Sequence, residues 1–278
     1  MNRRKTESLA LAYSDPRKSG TPVLLVHGFL HNRFLWEKLA SDLPDGLRPI
    51  AVDLRGHGES PWSPDAAYDL RSYAADLPEL LDDLELERAY VVGHSLGGNA
   101  CTFLAAERPE GVIALVLVDA GPSLESSGTA HMAGEAGNAL RSYASIAEIR
   151  EQLALTHPLG DPEILDRLAS TGVMRRVDDR YEPAIDLGVF GDLGASVEMV
   201  ALERDLWSAL GEVSCPVLVV RGGVSAILSE TVARRMVDDV LADGRLVTLP
   251  TAGHAVMIDD GPGLAAAIGD FILASQTL

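Results

Sequence analysis

Apolar runs of strand length recur along the chain: PVLLVHG (22–28), LRPIAVD (47–53), RAYVVG (88–93), VIALVLVD (112–119), CPVLVVRG (215–222) and GRLVTLP (244–250). They are nearly continuous rather than alternating, as strands must be when a sheet is covered on both faces. Between them lie stretches of helical character: FLWEKLASDL (34–43), LRSYAADLPELLDDL (70–84), GGNACTFLAAERP (97–109), ETVARRMVDDVLA (230–242) and LAAAIGDFILASQ (264–276). Pro78 is expected to kink the second of these. Strand–helix alternation predicts an α/β fold built on a doubly wound, mostly parallel sheet. SLALAYSD (8–15) is expected to add an antiparallel edge strand.

One interval breaks the rhythm. From about Gly121 to Leu210 there is no strong strand signal, only helix-like pieces such as ALRSYASIAEIREQLAL (139–155) and PEILDRLAS (162–170). A structureless loop of that length is implausible inside a compact domain, so the pattern predicts a helical insertion. Ligands of open α/β sheets bind beyond the carboxyl ends of the strands, and an insertion there would act as a lid. The expected organisation is a core of residues 1–121 and 209–278 with a lid over 122–208.

Composition narrows the partners. The chain has 278 residues, with 23 Lys and Arg against 41 Asp and Glu, a formal charge of −18. That balance opposes nucleic acid and anionic membrane alike. The opening MNRRKTESLALAYSD carries no long apolar run behind its basic residues, and no stretch offers about 18 uninterrupted apolar residues for a span. Cys101 and Cys215 lie far apart in core-like segments and suggest neither a disulfide framework nor a metal cluster. The expectation is a cytoplasmic protein that acts on a small molecule and needs no cofactor.

The candidate chemistry begins at GHSLG (93–97), a G-x-S-x-G directly after a strand and directly before a helix. A sharp strand-to-helix turn strains the serine's backbone, and side chains at positions 93 and 97 would collide with neighbouring main chain. The turn lifts the Ser95 hydroxyl above the sheet, at the positive end of the next helix. The alternative is a structural loop serine.

Serine needs a base within hydrogen-bond reach, and seven histidines are available. His27, His57 and His94 each sit beside a glycine after a strand, where they either line the site or simply pack the turn. His31, His131 and His157 have no distinguishing setting. His254, in LPTAGHAVMIDD (249–260), follows the last strand and can reach back over the sheet to Ser95. A tetrahedral intermediate also needs amide donors. The N–H of Leu96 follows the nucleophile, and LLVHGFLHN (24–32) supplies that of Phe29, with Gly28 easing the turn.

HGF (27–29), DLRGHGES (53–60), GHSLGG (93–98), VDAGP (118–122) and AGH (252–254) resemble the α/β-hydrolase fold superfamily in order and spacing. The resemblance covers nearly the whole chain outside the insertion. It implies Ser95 as nucleophile, His254 as base, Phe29 and Leu96 as oxyanion-hole amides, and 122–208 as the family's helical cap. Gly56, His57 and Gly58 match a turn near the pocket and are read as structural.

The third triad member departs from the pattern. Most relatives carry Asp on the loop after the seventh strand, which here reads RGGVSAILSE (221–230) and contains no Asp. Ala226 and Val224 stand where relatives often have an acid. Some members place it after the sixth strand instead, and Asp119 matches that position in the order Ser…Asp…His. Asp119 can equally cap the turn in DAGP (119–122).

These residues point to a hydrolase of carboxylic esters or lactones. Carbon–carbon bond hydrolases and perhydrolases share the Ser-led site, whereas dehalogenases and epoxide hydrolases of this fold use Asp as nucleophile. A ligand-binding protein with weak turnover is the second class of reading, carried by the acid gap. Tyr143, Met174, Tyr181, Phe190, Met199 and Trp207 are lid residues that either line an acyl pocket or pack the lid itself.

Overall fold

The computed structural model describes residues 9–123, 128, 134, 137, 141–171, 174–177, 179–191 and 196–275. Seven strands form one sheet: β1 (Tyr13–Ser14), β2 (Thr21–Val26), β3 (Leu47–Val52), β4 (Ala89–His94), β5 (Val112–Val118), β8 (Val217–Gly222) and β9 (Gly244–Leu249). Their order is β1-β3-β2-β4-β5-β8-β9. All neighbours are parallel except β1, which pairs antiparallel with β3 at the edge through Tyr13 and Ser14 alone. The mostly parallel sheet and its six parallel strands agree with the apolar runs in the sequence.

The continuous apolar character has a visible cause. Along β2, Leu24 and Val26 join the core on one face, and Val23 and Leu25 join the core on the other. The same alternation holds in β4, β5 and β8, where Val91, Leu117 and Val219 face one way and Val92, Val116 and Val220 the other. Both faces bury their side chains, so neither set is polar. Helices α2 (Leu70–Asp83) and α3 (Leu96–Glu107) cover the first face; α1 (Glu37–Asp42) and α9 (Gly261–Ser275) cover the second. Pro78 sits inside α2, and its carbonyl accepts a hydrogen bond from Arg108.

The interval after β5 contains α4 (Ile146–Thr156), α5 (Pro162–Thr171) and α6 (Ser196–Glu212), the last running through positions 208 and 209. It also contains a hairpin that its pattern did not predict: β6 (Met174–Val177) pairs antiparallel with β7 (Arg180–Pro183). The sequence MRRVDDRYEP has charged residues in half of its strand positions, so no apolar alternation marks it. Beyond the hairpin the chain docks on the loop after β3. Gly58 N–H donates to Ala184 O at 2.9 Å, and Asp186 N–H donates to Gly56 O at 2.9 Å. No helix of the described residues is long and apolar enough to cross a membrane. Among the described residues, further helices are α7 (Glu230–Arg235), which leads into a π-helical turn, and α8 (Val256–Asp259).

Candidate active site

The chain places β3 on one side of β2 and β4 on the other. This reversal opens a crevice at the carboxyl ends of β2 and β4, the place where such sheets bind ligands. The turn after β2 carries Phe29, and the turn after β4 carries Ser95. The loops after β5, β8 and β9 continue the row with Asp119, Ser225 and His254.

Ser95 occupies φ 51°, ψ −121°, a conformation an L-residue adopts only under constraint. Two close approaches impose it. A Cβ on Gly97 would lie 2.3 Å from the carbonyl oxygen of His27, and one on Gly93 would lie 2.6 Å from Gly98 Cα. Glycine at these positions lets α3 start directly against β2 and β4. The Leu96 N–H opens α3, where no preceding turn can accept it. The helix dipole adds positive potential there.

His254 Nε2 lies 3.0 Å from Ser95 Oγ, and His254 Nδ1 lies 2.7 Å from Asp119 Oδ2. A carboxylate only accepts, so Nδ1 carries the proton and Nε2 presents its lone pair to the serine hydroxyl. The imidazole is almost covered and Asp119 is fully buried. The loop holding His254 is fixed from behind, because Gly253 N–H donates to Asp259 Oδ2 at 2.8 Å.

Asp119 does not cap its own turn. Its Oδ1 accepts from Gly222 N–H at 2.9 Å, and Oδ2 accepts from the Ser225 hydroxyl at 2.5 Å as well as facing His254. The residue adopts φ 45°, which aims its carboxylate across the sheet edge. The loop at 221–230 thus contributes a hydroxyl and an amide to the carboxylate, with neither Val224 nor Ala226 supplying an acid. Ser225 was not singled out by the sequence; only its place on the acid-bearing loop hinted at it.

The turn that carries the Phe29 amide is held by two of the histidines that lie beside glycines. His27 Nδ1–H donates to Gly28 O at 2.7 Å, while its Nε2 accepts from Leu54 N–H at 3.0 Å. Both nitrogens are therefore committed and the ring is neutral; burial pushes its pKa well below the usual value. In a planar trans peptide the Phe29 N–H points opposite to the Gly28 carbonyl, so holding that carbonyl sets the direction of the amide. His57 repeats the device one residue on. Its Nδ1–H donates to Arg55 O at 2.9 Å and its Nε2 accepts from Leu30 N–H at 3.4 Å. Burial lowers the His57 pKa to about 4. His57 thus ties the turn after β3 to the turn after β2.

Of the aromatic residues in the interval after β5, Phe190 meets the Phe29 ring edge-on at 5.6 Å between centroids. Tyr143 and Tyr181 pair their main chains with each other, and Tyr143 packs with Ile149 and Ala169, all within the interval after β5. Trp207 Nε1–H donates to Ser123 Oγ at 2.9 Å. His131 and the side chains of Met174 and Met199 lie outside the described residues.

Known proteins share this arrangement of strands and loops. Residues 21–261 match the family model of the alpha/beta hydrolase fold. The 2-(acetamidomethylene)succinate hydrolase of Mesorhizobium japonicum is 30% identical over 242 residues, covering 86% of this chain and 83% of that protein. The sn-1-specific diacylglycerol lipase ABHD11 of Mus musculus is 26% identical over 261 residues, covering 90% and 80%. A crystal structure of E-2-(acetamidomethylene)succinate hydrolase superposes with a TM-score of 0.85 at 28% identity over 95% of each chain. The chain belongs to the alpha/beta hydrolase fold family.

Proposed function

We propose that this chain is a serine hydrolase that cleaves a carboxylic ester or lactone through an acyl-enzyme on Ser95. The observation that carries the reading is the unbroken line from Ser95 Oγ through His254 to Asp119, at 3.0 and 2.7 Å. His254 Nε2 takes the serine proton as Oγ attacks the substrate carbonyl. The amides of Phe29 and Leu96 hold the oxyanion. His254 then returns the proton to the leaving alkoxide, and the same ring activates the water that releases the acyl group. Asp119 keeps the imidazole in the useful tautomer and stabilises the imidazolium without taking the proton. The steps call on these side chains and amides alone.

The lipase among the relatives supports an ester substrate. We read residues 122–208 as the lid, with Phe190 reaching the oxyanion turn from it. The binder reading drew its weight from a missing acid, and the contact between Asp119 and His254 takes that weight away. Carbon–carbon bond hydrolysis and perhydrolysis use the same three side chains, so the substrate must decide among them. A panel of p-nitrophenyl esters of increasing acyl length, lactones of increasing ring size and a β-diketone tests the reading. Sustained turnover of an ester or lactone that Ser95→Ala abolishes supports it. Turnover confined to the diketone, or a single stoichiometric release with none after it, contradicts it.

A further inference from the structure

His94 is fully buried next to the nucleophile, and the steps above give it no task. Its Nε2 donates at 3.0 Å to the main-chain carbonyl of His254. A carbonyl only accepts, so the proton of the neutral ring sits on Nε2 and Nδ1 is bare. Nδ1 has no hydrogen-bond partner among the described residues. It lies against Gly28, where a Cβ would come within 2.6 Å of it. The ring is thus clamped between the oxyanion turn and the backbone of the base, 4.6 Å from the His254 ring and 5.8 Å from that of His31.

We propose that His94 is a positioning residue whose Nε2–H fixes the main chain of His254 at the distance from which its imidazole reaches Ser95. The proposal rests on the reading of Ser95 and His254 as nucleophile and base. Asp119 fixes one nitrogen of the His254 ring, and a ring held at one nitrogen can still pivot about that contact. Gly253 N–H anchors the loop ahead of His254, and the bond to the His254 carbonyl supplies a fixed point on the backbone just after its side chain. Because His94 directly precedes Ser95, that point shares its strand end with the nucleophile. Leaving Nδ1 buried and unpaired carries a penalty. A Leu or Phe of similar volume would avoid it, so the donor is what the position needs.

The test is the rate at which a fluorophosphonate modifies Ser95 in the full chain, followed by intact mass, with Ser95→Ala as the blank. His94→Leu fills the space without a donor; His94→Gln keeps an amide donor near the reach of Nε2. The maximal rate falls by about 10- to 100-fold in His94→Leu with the half-saturating concentration nearly unchanged, as misplacement of a base predicts. His94→Gln recovers to within about fivefold of the parent, at a thermal midpoint like that of His94→Leu. Should His94→Leu not fold, His94→Asn, whose amide is too short to reach the carbonyl, takes its place. A donor-free variant that reacts at the parental rate, or a Gln variant no faster than it, overturns the proposal. A parent chain left unmodified at Ser95 brings down the nucleophile reading and this proposal with it; that failure shows in the parent, the other only in the variants.

Discussion

Ser225 donates its hydroxyl at 2.5 Å to Oδ2 of Asp119, the oxygen that also faces His254 Nδ1 at 2.7 Å. The loop after β8, where the family resemblance leads one to look for an acid, instead reaches over to an acid that stands at the end of β5. The carboxylate stands at the end of β5, the loop donates to it, and the imidazole meets a carboxylate all the same.

Asp119→Asn therefore lowers kcat by about 10⁴-fold, the loss seen when a triad acid is replaced by its amide. Ala226→Asp in the otherwise unchanged chain gives no gain. Steady-state kinetics on the best ester of the panel check both. A gain from Ala226→Asp together with little loss from Asp119→Asn would return Asp119 to a turn residue.

Ser225→Ala leaves Oδ2 with one donor fewer. A hydrogen bond to a charged group contributes about 1.5–3 kcal/mol, and only part of that is felt in the transition state. The expected loss is about tenfold in kcat with KM nearly constant. Ser225→Thr, which keeps the hydroxyl, restores most of it. The hydroxyl also accepts from Ile227 N–H at 3.0 Å, so a thermal melt accompanies the kinetics to separate loop damage from lost catalysis.

The strand-to-helix turn at Ser95 also bears on folding. Gly97→Ala drives a methyl to 2.3 Å from the His27 carbonyl oxygen, main chain that cannot swing aside. Overpacking of this kind costs about 1–3 kcal/mol, and more where backbone must move. Denaturant midpoints should fall accordingly. By the same relation the variant loses activity, since any yielding of the His27 carbonyl shifts the Phe29 amide two residues on.

Burial of neutral histidines sets a pH dependence of stability. His57 has its pKa lowered to about 4 by burial, while the unfolded chain protonates it near the usual value of about 6.5. Between those values the unfolded state binds a proton that the folded state refuses. Stability is full above about pH 6.5 and falls as the pH drops towards 4, by about 2 kcal/mol at pH 5 from this residue. His27 and His94, also pushed down by burial, act in the same direction. Urea midpoints measured from pH 7 to pH 5 check this, and His57→Gln should flatten the slope.

The fold was legible because a sheet buried on both faces writes itself as uninterrupted apolar runs. Val23 to Val26 and Val91 to Val92 needed no tertiary knowledge to be placed. The hairpin Met174–Val177 with Arg180–Pro183 escaped because its strands are short and rich in charge. Ser95, His254 and the two amides carry local signatures, a turn between glycines and a histidine after the last strand. Asp119 does not. Its carboxylate meets Gly222 and Ser225, 103 and 106 residues away, and nothing local separates a triad acid from a turn cap. His27, His57 and His94 were visible as histidines beside glycines, but which nitrogen donates, and to which carbonyl, depends on how the loops pack across the sheet edge.

The most direct measurement is the mass of the protein quenched in acid during turnover of a slow p-nitrophenyl ester. The expected result is a gain of one acyl group, mapped by peptide digestion to Ser95, absent in Ser95→Ala and formed far more slowly in His254→Ala. Ester turnover that persists in Ser95→Ala, or an acyl group found on any other residue, would contradict it.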